Sequence, residues 1–176
     1  MTKPQKLFFA IAFLILFSWS ALRSMGLPFL VEPNLLFLNG TASLPVGLYM
    51  SIPTIEYRNG DIVAFRHRDM AETAINNGWL PEGEEDIVFL KHIALPGTVY
   101  TLDKDGSFSV GGEYIGIVAK DDGKGHDLPQ LPKGHHIVPP NHFLAYTKEQ
   151  NSYDGRYIGV ISMDKIIHRV IPIITK

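Results

Sequence analysis

Cysteine is absent from the 176 residues, which removes disulfide frameworks, thiolate nucleophiles and Cys-based zinc sites together. The absence fixes no compartment, because a domain of this size holds together without bridges even where they form. A dominant sign of charge is also missing. Sixteen Lys and Arg against eighteen Asp and Glu leave a formal net charge of −2, so no basic surface for a nucleic-acid backbone is expected and nucleic acid is not an expected partner. With 45% hydrophobic and 19% charged residues, the chain is too apolar to stay disordered. Its length suits one domain, at roughly 100 to 200 residues per domain. There is no Gly-x-Ser-x-Gly elbow and no Gly-rich phosphate loop, so neither that hydrolase triad nor a nucleotide enzyme is indicated. The seven histidines, at 67, 92, 126, 135, 136, 142 and 168, match no zinc spacing, and His135 and His136 would point to opposite faces of an extended segment. No metal and no cofactor are expected.

Long apolar runs are lacking with one exception. Residues 7–22 read LFFAIAFLILFSWSAL, uncharged, with Lys3 and Lys6 before them and Arg23 after. Sixteen residues give ~24 Å of helix against a hydrocarbon core of ~30 Å, so this stretch spans only with snorkelling flanks or local thinning. Two readings fit. Ser18 and Ser20 form the small-x-small pattern of a cleaved signal peptide, whereas Trp19 and Arg23 suit the far interface of an uncleaved anchor. In both, Lys3 and Lys6 keep the N-terminus inside and send the rest across. The expected organisation is a cytoplasmic N-terminus over 1–6, a transmembrane anchor over 7–22 with the lipid bilayer as partner, and a domain over 23–176.

The remainder carries the pattern of strands. Short apolar or alternating runs recur between Gly, Pro, Asn and Asp: GLYMSI (47–52), DIVAF (61–65), DIVFLKHIAL (86–95), TVYTL (98–102), SFSV (107–110), EYIGIV (113–118), HFLAYT (142–147), YIGVIS (157–162) and IIHRVIPII (166–174). This spacing predicts a mainly β domain. Hairpin turns are expected at residues 103–106 and at Gly111 and Gly112. One helix is predicted over 69–77, with Asp69 as N-cap and Gly78 as stop. Residues 119–136, polar and rich in Gly and Pro, read as a long surface loop.

Lys91 stands out by its neighbours. On a strand it shares a face with Ile87, Phe89, Ile93 and Leu95, which places an ammonium among apolar groups. Burial without a partner lowers a lysine pKa and yields a neutral amine able to act as a general base. The alternative is a register break, or an edge strand from which Lys91 snorkels into solvent.

Three segments together resemble the signal peptidase I family of membrane-anchored serine peptidases. TASLPVGLYMS (41–51) is similar to that family's nucleophile box, FLKHIALPGTVYTL (89–102) to its lysine box, and NSYDGRYIG (151–159) to its last box, in the family's order. The resemblance implies a signal-peptidase-like β-domain behind one N-terminal helix, and a Ser/Lys dyad in which Ser43 is the nucleophile and neutral Lys91 the base. It further implies an oxyanion hole from the Ser43 amide and the Thr41 hydroxyl, a lysine-orienting role for Ser152, and support from an Asp154 and Arg156 ion pair. Thr41 and Ser43 also fit plain turn hydroxyls in the run 39–47, and residues 151–155 an ordinary turn.

Departures from the family's pattern point to a subtype. Leu44 to Tyr49 after Ser43 give a Ser-x-Pro-x-Gly-Leu-Tyr form that looks like the TraF-type conjugative transfer peptidases. Residues 147–150, Thr-Lys-Glu-Gln, replace the Gly-Asp-Asn lead-in common in leader peptidases. The expectation from this likeness is an inner-membrane enzyme with a periplasmic catalytic domain. Its expected partners are a pilin precursor or another peptide emerging from the membrane, and conjugation machinery of the type IV secretion kind, and its product is linear or cyclic. A general leader peptidase and a non-enzymatic, membrane-tethered assembly factor are the alternatives.

Overall fold

The structure, a computed structural model, describes residues 35–176; the anchor expected over 7–22 and the boundaries set at residues 6 and 22 lie outside the described residues. Among the described residues no helix is long and apolar enough to cross a membrane. The domain is mainly β, as predicted. In chain order the elements are β1 (Leu36–Asn39), β2 (Gly47–Ile52), β3 (Ile62–Phe65), helix α1 (Arg68–Asn76), β4 (Phe89–Ala94), β5 (Val99–Leu102), β6 (Ser107–Val110) and β7 (Glu113–Ile117). They continue with β8 (Gly134–Ile137), β9 (His142–Tyr146), the short helix α2 (Gly155–Ile158), β10 (Val160–Ser162) and β11 (Ile166–Thr175). Antiparallel pairing builds a seven-stranded sheet in the order β1-β2-β11-β3-β4-β9-β10 and a four-stranded sheet in the order β7-β6-β5-β8.

Side-chain alternation divides the large sheet between two cores. Val63 and Phe65 face a cluster with Met70 of α1, Ile93, Phe143 and Ile161, while Ala64 between them faces Phe37, Leu44, Tyr49, Leu90 and Val170. A third cluster joins the sheets, setting Leu102 and Phe108 of the small sheet, with Val138 just after β8, against Ala94, Leu144 and Tyr157. Strand β4 is therefore interior, paired to β3 on one side and to β9 on the other. That removes the edge-strand alternative for Lys91.

Four local expectations need correction. Residues 134–137 form β8, paired with β5, where a loop was expected over 119–136. There His135 Nδ1 lies 2.8 Å from Thr101 Oγ1, while the His136 ring stacks on Tyr100; the two rings take opposite faces, as extended backbone requires. Strand β1, three apolar residues ending on Asn39, is too short to be recognised in sequence, yet Phe37 and Asn39 turn inward and Leu36 and Leu38 outward. Residues 155–158 are a helical turn, and β10 begins only after Gly159 at φ +74°. Finally, α1 is capped by His67, whose Nδ1 accepts from Met70 N at 3.2 Å. Burial lowers the His67 pKa, which favours the neutral ring needed for that acceptor, and Asp69 instead places its charge in the first turn, where the helix dipole welcomes it.

Candidate active site

The turn between β1 and β2 carries Ser43, and its shape comes from one buried amide. Asn39, 6% exposed, places Nδ2 within hydrogen-bonding distance of the carbonyls of Thr41 (2.9 Å), Leu44 (2.9 Å) and Pro45 (3.2 Å). Its Oδ1 accepts from Thr41 N at 3.2 Å and Thr41 Oγ1 at 3.0 Å. A side chain thus takes the place of ladder partners for a turn too tight to supply its own. From β2, Tyr49 is fully buried and donates its hydroxyl to the Pro45 carbonyl at 2.8 Å. Gly47 sits at φ +149° where a Cβ would stand 2.0 Å from the Ile174 carbonyl oxygen, so only glycine lets β11 close against β2. The Pro, Gly and Tyr of the 43–49 motif are therefore scaffolding that fixes Ser43 at the apex, half-buried.

Lys91 is 4% exposed and donates from Nζ to Ser152 Oγ at 2.6 Å. Ser152 Oγ lies 3.3 Å from Ser43 Oγ, so the three side chains form a line from amine to nucleophile. Burial brings the Lys91 pKa from its ordinary 10.5 down to about 8; the Asp154 carboxylate opposes this and the Arg156 guanidinium adds to it. Enclosure dominates because β4 is flanked by strands and its face is packed with Phe89 and Ile93.

Ser152 is positioned by the segment behind it. Asp154 and Arg156 are fully buried and paired twice, Nε to Oδ1 and Nη2 to Oδ2, each at 2.9 Å. Asp154 also accepts from Thr147 N and Arg156 N, both at 3.1 Å. Arg156 Nη2 reaches the carbonyls of Glu149 (2.6 Å) and Thr147 (3.3 Å). The fork thus holds residues 147–150, the stretch that departs from the leader-peptidase pattern, and satisfies both buried charges. Gly155 seats this corner against β9, since a Cβ there would meet the Ala145 carbonyl oxygen at 2.5 Å.

The structure brings Ser43, Lys91 and Ser152 together, places Asp154 and Arg156 directly behind them, and sets Thr41 beside Ser43 with its hydroxyl turned to Asn39. A cleft of about 280 Å³ opens on one side of Ser43, between β1 (Leu38, Asn39) and residues 87–90, and is closed by Met70, Ala74 and Trp79. A second, of about 550 Å³, lies on the other side of Ser43 near Val46, His92 and Lys148. Sequence reasoning missed Asn39, whose place in a Gly- and Pro-rich run was its sole signal, and the α1 residues, whose approach to the cleft depends on tertiary packing. Among the described residues no group of His, Asp and Glu is arranged to hold a metal ion.

A family model described as "Signal peptidase, peptidase S26" matches residues 6–174. A search of curated proteins finds no match. Among solved structures, the chain is similar to the crystal structure of a signal peptidase I from Enterococcus faecalis V583. The identity is 15% and the TM-score 0.37, over 66% of this chain and 98% of that one.

Proposed function

Because the chain belongs to the signal peptidase family of serine peptidases, peptidase S26, we propose that it is a membrane-anchored Ser/Lys endopeptidase that matures a conjugative pilin precursor in the bacterial inner membrane, with its catalytic domain in the periplasm. The observation that carries the chemistry is the line Lys91 Nζ, Ser152 Oγ, Ser43 Oγ, at 2.6 and 3.3 Å, ending on a lysine brought to about 8. Neutral Lys91 takes a proton from the Ser152 hydroxyl as that hydroxyl takes the proton of Ser43, and Ser43 Oγ adds to the scissile carbonyl. Lys91 then returns a proton to the leaving amine. The Ser43 amide and the Thr41 hydroxyl, turned from Asn39, meet the oxyanion.

An extended peptide fits between the outer edge of β1, unpaired among the described residues, and residues 87–90, where strand addition supplies backbone hydrogen bonds. Leu38, Leu48 and Ile174 lie in register across β1, β2 and β11, and Leu38 and Ile174 are 81% and 71% exposed. That apolar row beside the Ser43 turn supports work against a lipid surface, in keeping with the charge-free run at residues 7–22. The pilin assignment rests on the Ser43 to Tyr49 motif form.

The test is to substitute Ser43→Ala and Lys91→Ala separately in the conjugative host and weigh the pilin by intact-mass spectrometry. Precursor accumulates in both. Unchanged processing in both overturns the dyad. Rescue of a cell depleted of its leader peptidase assigns the general enzyme instead, and assembly supported by the Ser43→Ala protein assigns a non-enzymatic role.

A further inference from the structure

The 280 Å³ cleft beside Ser43 is not closed by the sheets. Beyond Trp79 lies a third cavity, of about 530 Å³, bounded by residues 119–124 and by Tyr157. Trp79, Asn151 and Tyr153 line both spaces, and the Trp79 ring rests on Tyr153 with centroids 5.2 Å apart. Tyr153 stacks in turn on Tyr157 at 5.5 Å. A wall of two rings thus separates a small chamber holding Ser43 and Lys91 from one nearly twice its size.

The two rings are held differently. Tyr153 adjoins Ser152 in the segment braced by Arg156, whereas Trp79 follows α1, its backbone N–H donating to the Ala74 carbonyl at 2.8 Å, and its ring is tethered by the hydrogen bond from Nε1 to Asp122 Oδ2 at 2.9 Å, across 43 residues of chain. Asp122 is fixed for that task. It also accepts from Lys124 N (2.8 Å), His126 N (3.1 Å) and His126 Nδ1 (2.8 Å).

We propose that Trp79, positioned by Asp122, is the specificity-determining residue of this cleft, refusing large substrate side chains by walling it off from the 530 Å³ cavity. The inference rests on the peptidase reading above. A packed indole refuses extra methylenes, each worth about tenfold or more in a closed apolar pocket, and its removal joins the two chambers.

The test uses the full chain in detergent micelles and synthetic peptides in which the residues before the scissile bond vary through Gly, Ala, Val, Leu and Phe, with cut sites read by mass spectrometry. Wild type prefers the small residues. In Trp79→Ala the ratio of kcat/KM for Leu over Ala rises by at least about tenfold, and Asp122→Ala moves it in the same direction by less. Trp79→Phe loses the tether and part of the ring, so it reports on the wall even where Trp79→Ala fails to fold, and a ratio between those of Asp122→Ala and Trp79→Ala is expected. An unchanged ratio in the folded variants, or an equal loss on every peptide, overturns the proposal while leaving the peptidase reading intact. Cleavage that survives Ser43→Ala, or no cleavage of any peptide, overturns both.

Discussion

Replacing the buried lysine with a neutral side chain of the same reach should stabilise this protein while abolishing its activity, and the gain should depend on pH. Lowering the Lys91 pKa from 10.5 to about 8 means that holding the ammonium folded costs about 3 kcal/mol at pH 6.5, at 1.36 kcal/mol per pKa unit. The folded state favours the neutral amine. The cost is therefore full below pH 8, shrinks between 8 and 10.5 while the unfolded chain still binds a proton the folded chain has released, and vanishes above. At pH 9.5 about 1 kcal/mol of it remains. Lys91→Met keeps an unbranched chain on the packed face and gives up the Ser152 hydrogen bond, worth about 1 kcal/mol. The expected net gain is about 2 kcal/mol at pH 6.5 and close to zero at pH 9.5. Urea unfolding of the full chain in detergent at the two pH values, with Ser43→Ala as a control that shows no such trend, measures it. A gain equal at both pH values, or a variant less stable than wild type at pH 6.5, would refute the buried-ammonium reasoning.

Peptidase activity should rise through pH 8, falling about tenfold per unit below it, because only neutral Lys91 accepts a proton; a flat kcat/KM profile from pH 6 to 9.5 contradicts lysine as base. Arg156→Met leaves the Asp154 carboxylate buried and unpaired, which costs about 3–5 kcal/mol. It also removes a cation that lowers Lys91 while Asp154 still raises it, so the acidic limb of the pH profile moves upward. Gly47→Ala forces a Cβ against the Ile174 carbonyl oxygen and should lower the urea-unfolding stability by about 1–3 kcal/mol. Gly40→Ala, with open space around its Cβ, serves as the tolerated comparison.

Strand content was legible because apolar runs alternate between turn residues, and β2 and β6 fall on the residues their sequence pattern marks. Lys91 was legible for the same reason: four apolar neighbours at even spacing fix its face whatever the strand's partners. Two features were illegible. Strand β8 takes its hydrogen bonds from β5, and nothing in Gly-His-His-Ile announces that partner. The capping role of His67 depends on burial that keeps its ring neutral, which neighbouring residues in sequence do not encode. The site itself was only half visible. Family likeness marked Ser43, Lys91 and the 151–159 segment, but the order amine, hydroxyl, nucleophile follows from where Arg156 draws the chain. Asn39 was invisible because a polar residue at a strand end is commonplace until three carbonyls converge on it.

The pairing of Ser152 with Ser43 across 109 positions and with Lys91 across 61 has a consequence for how the protein comes to life. Contacts so distant along the chain form late, since each must first close a long loop. A partly folded chain presents Ser43 in a turn without Lys91 beside it, and Lys91 as an ordinary hydrated ammonium. In the Ser/Lys mechanism proposed above, reactivity arrives only when residues 147–156 dock and β4 is enclosed. Topology thereby does the work that a pro-segment performs in other hydrolases: the incomplete polypeptide is inert toward itself and its neighbours, and competence coincides with completion of the fold.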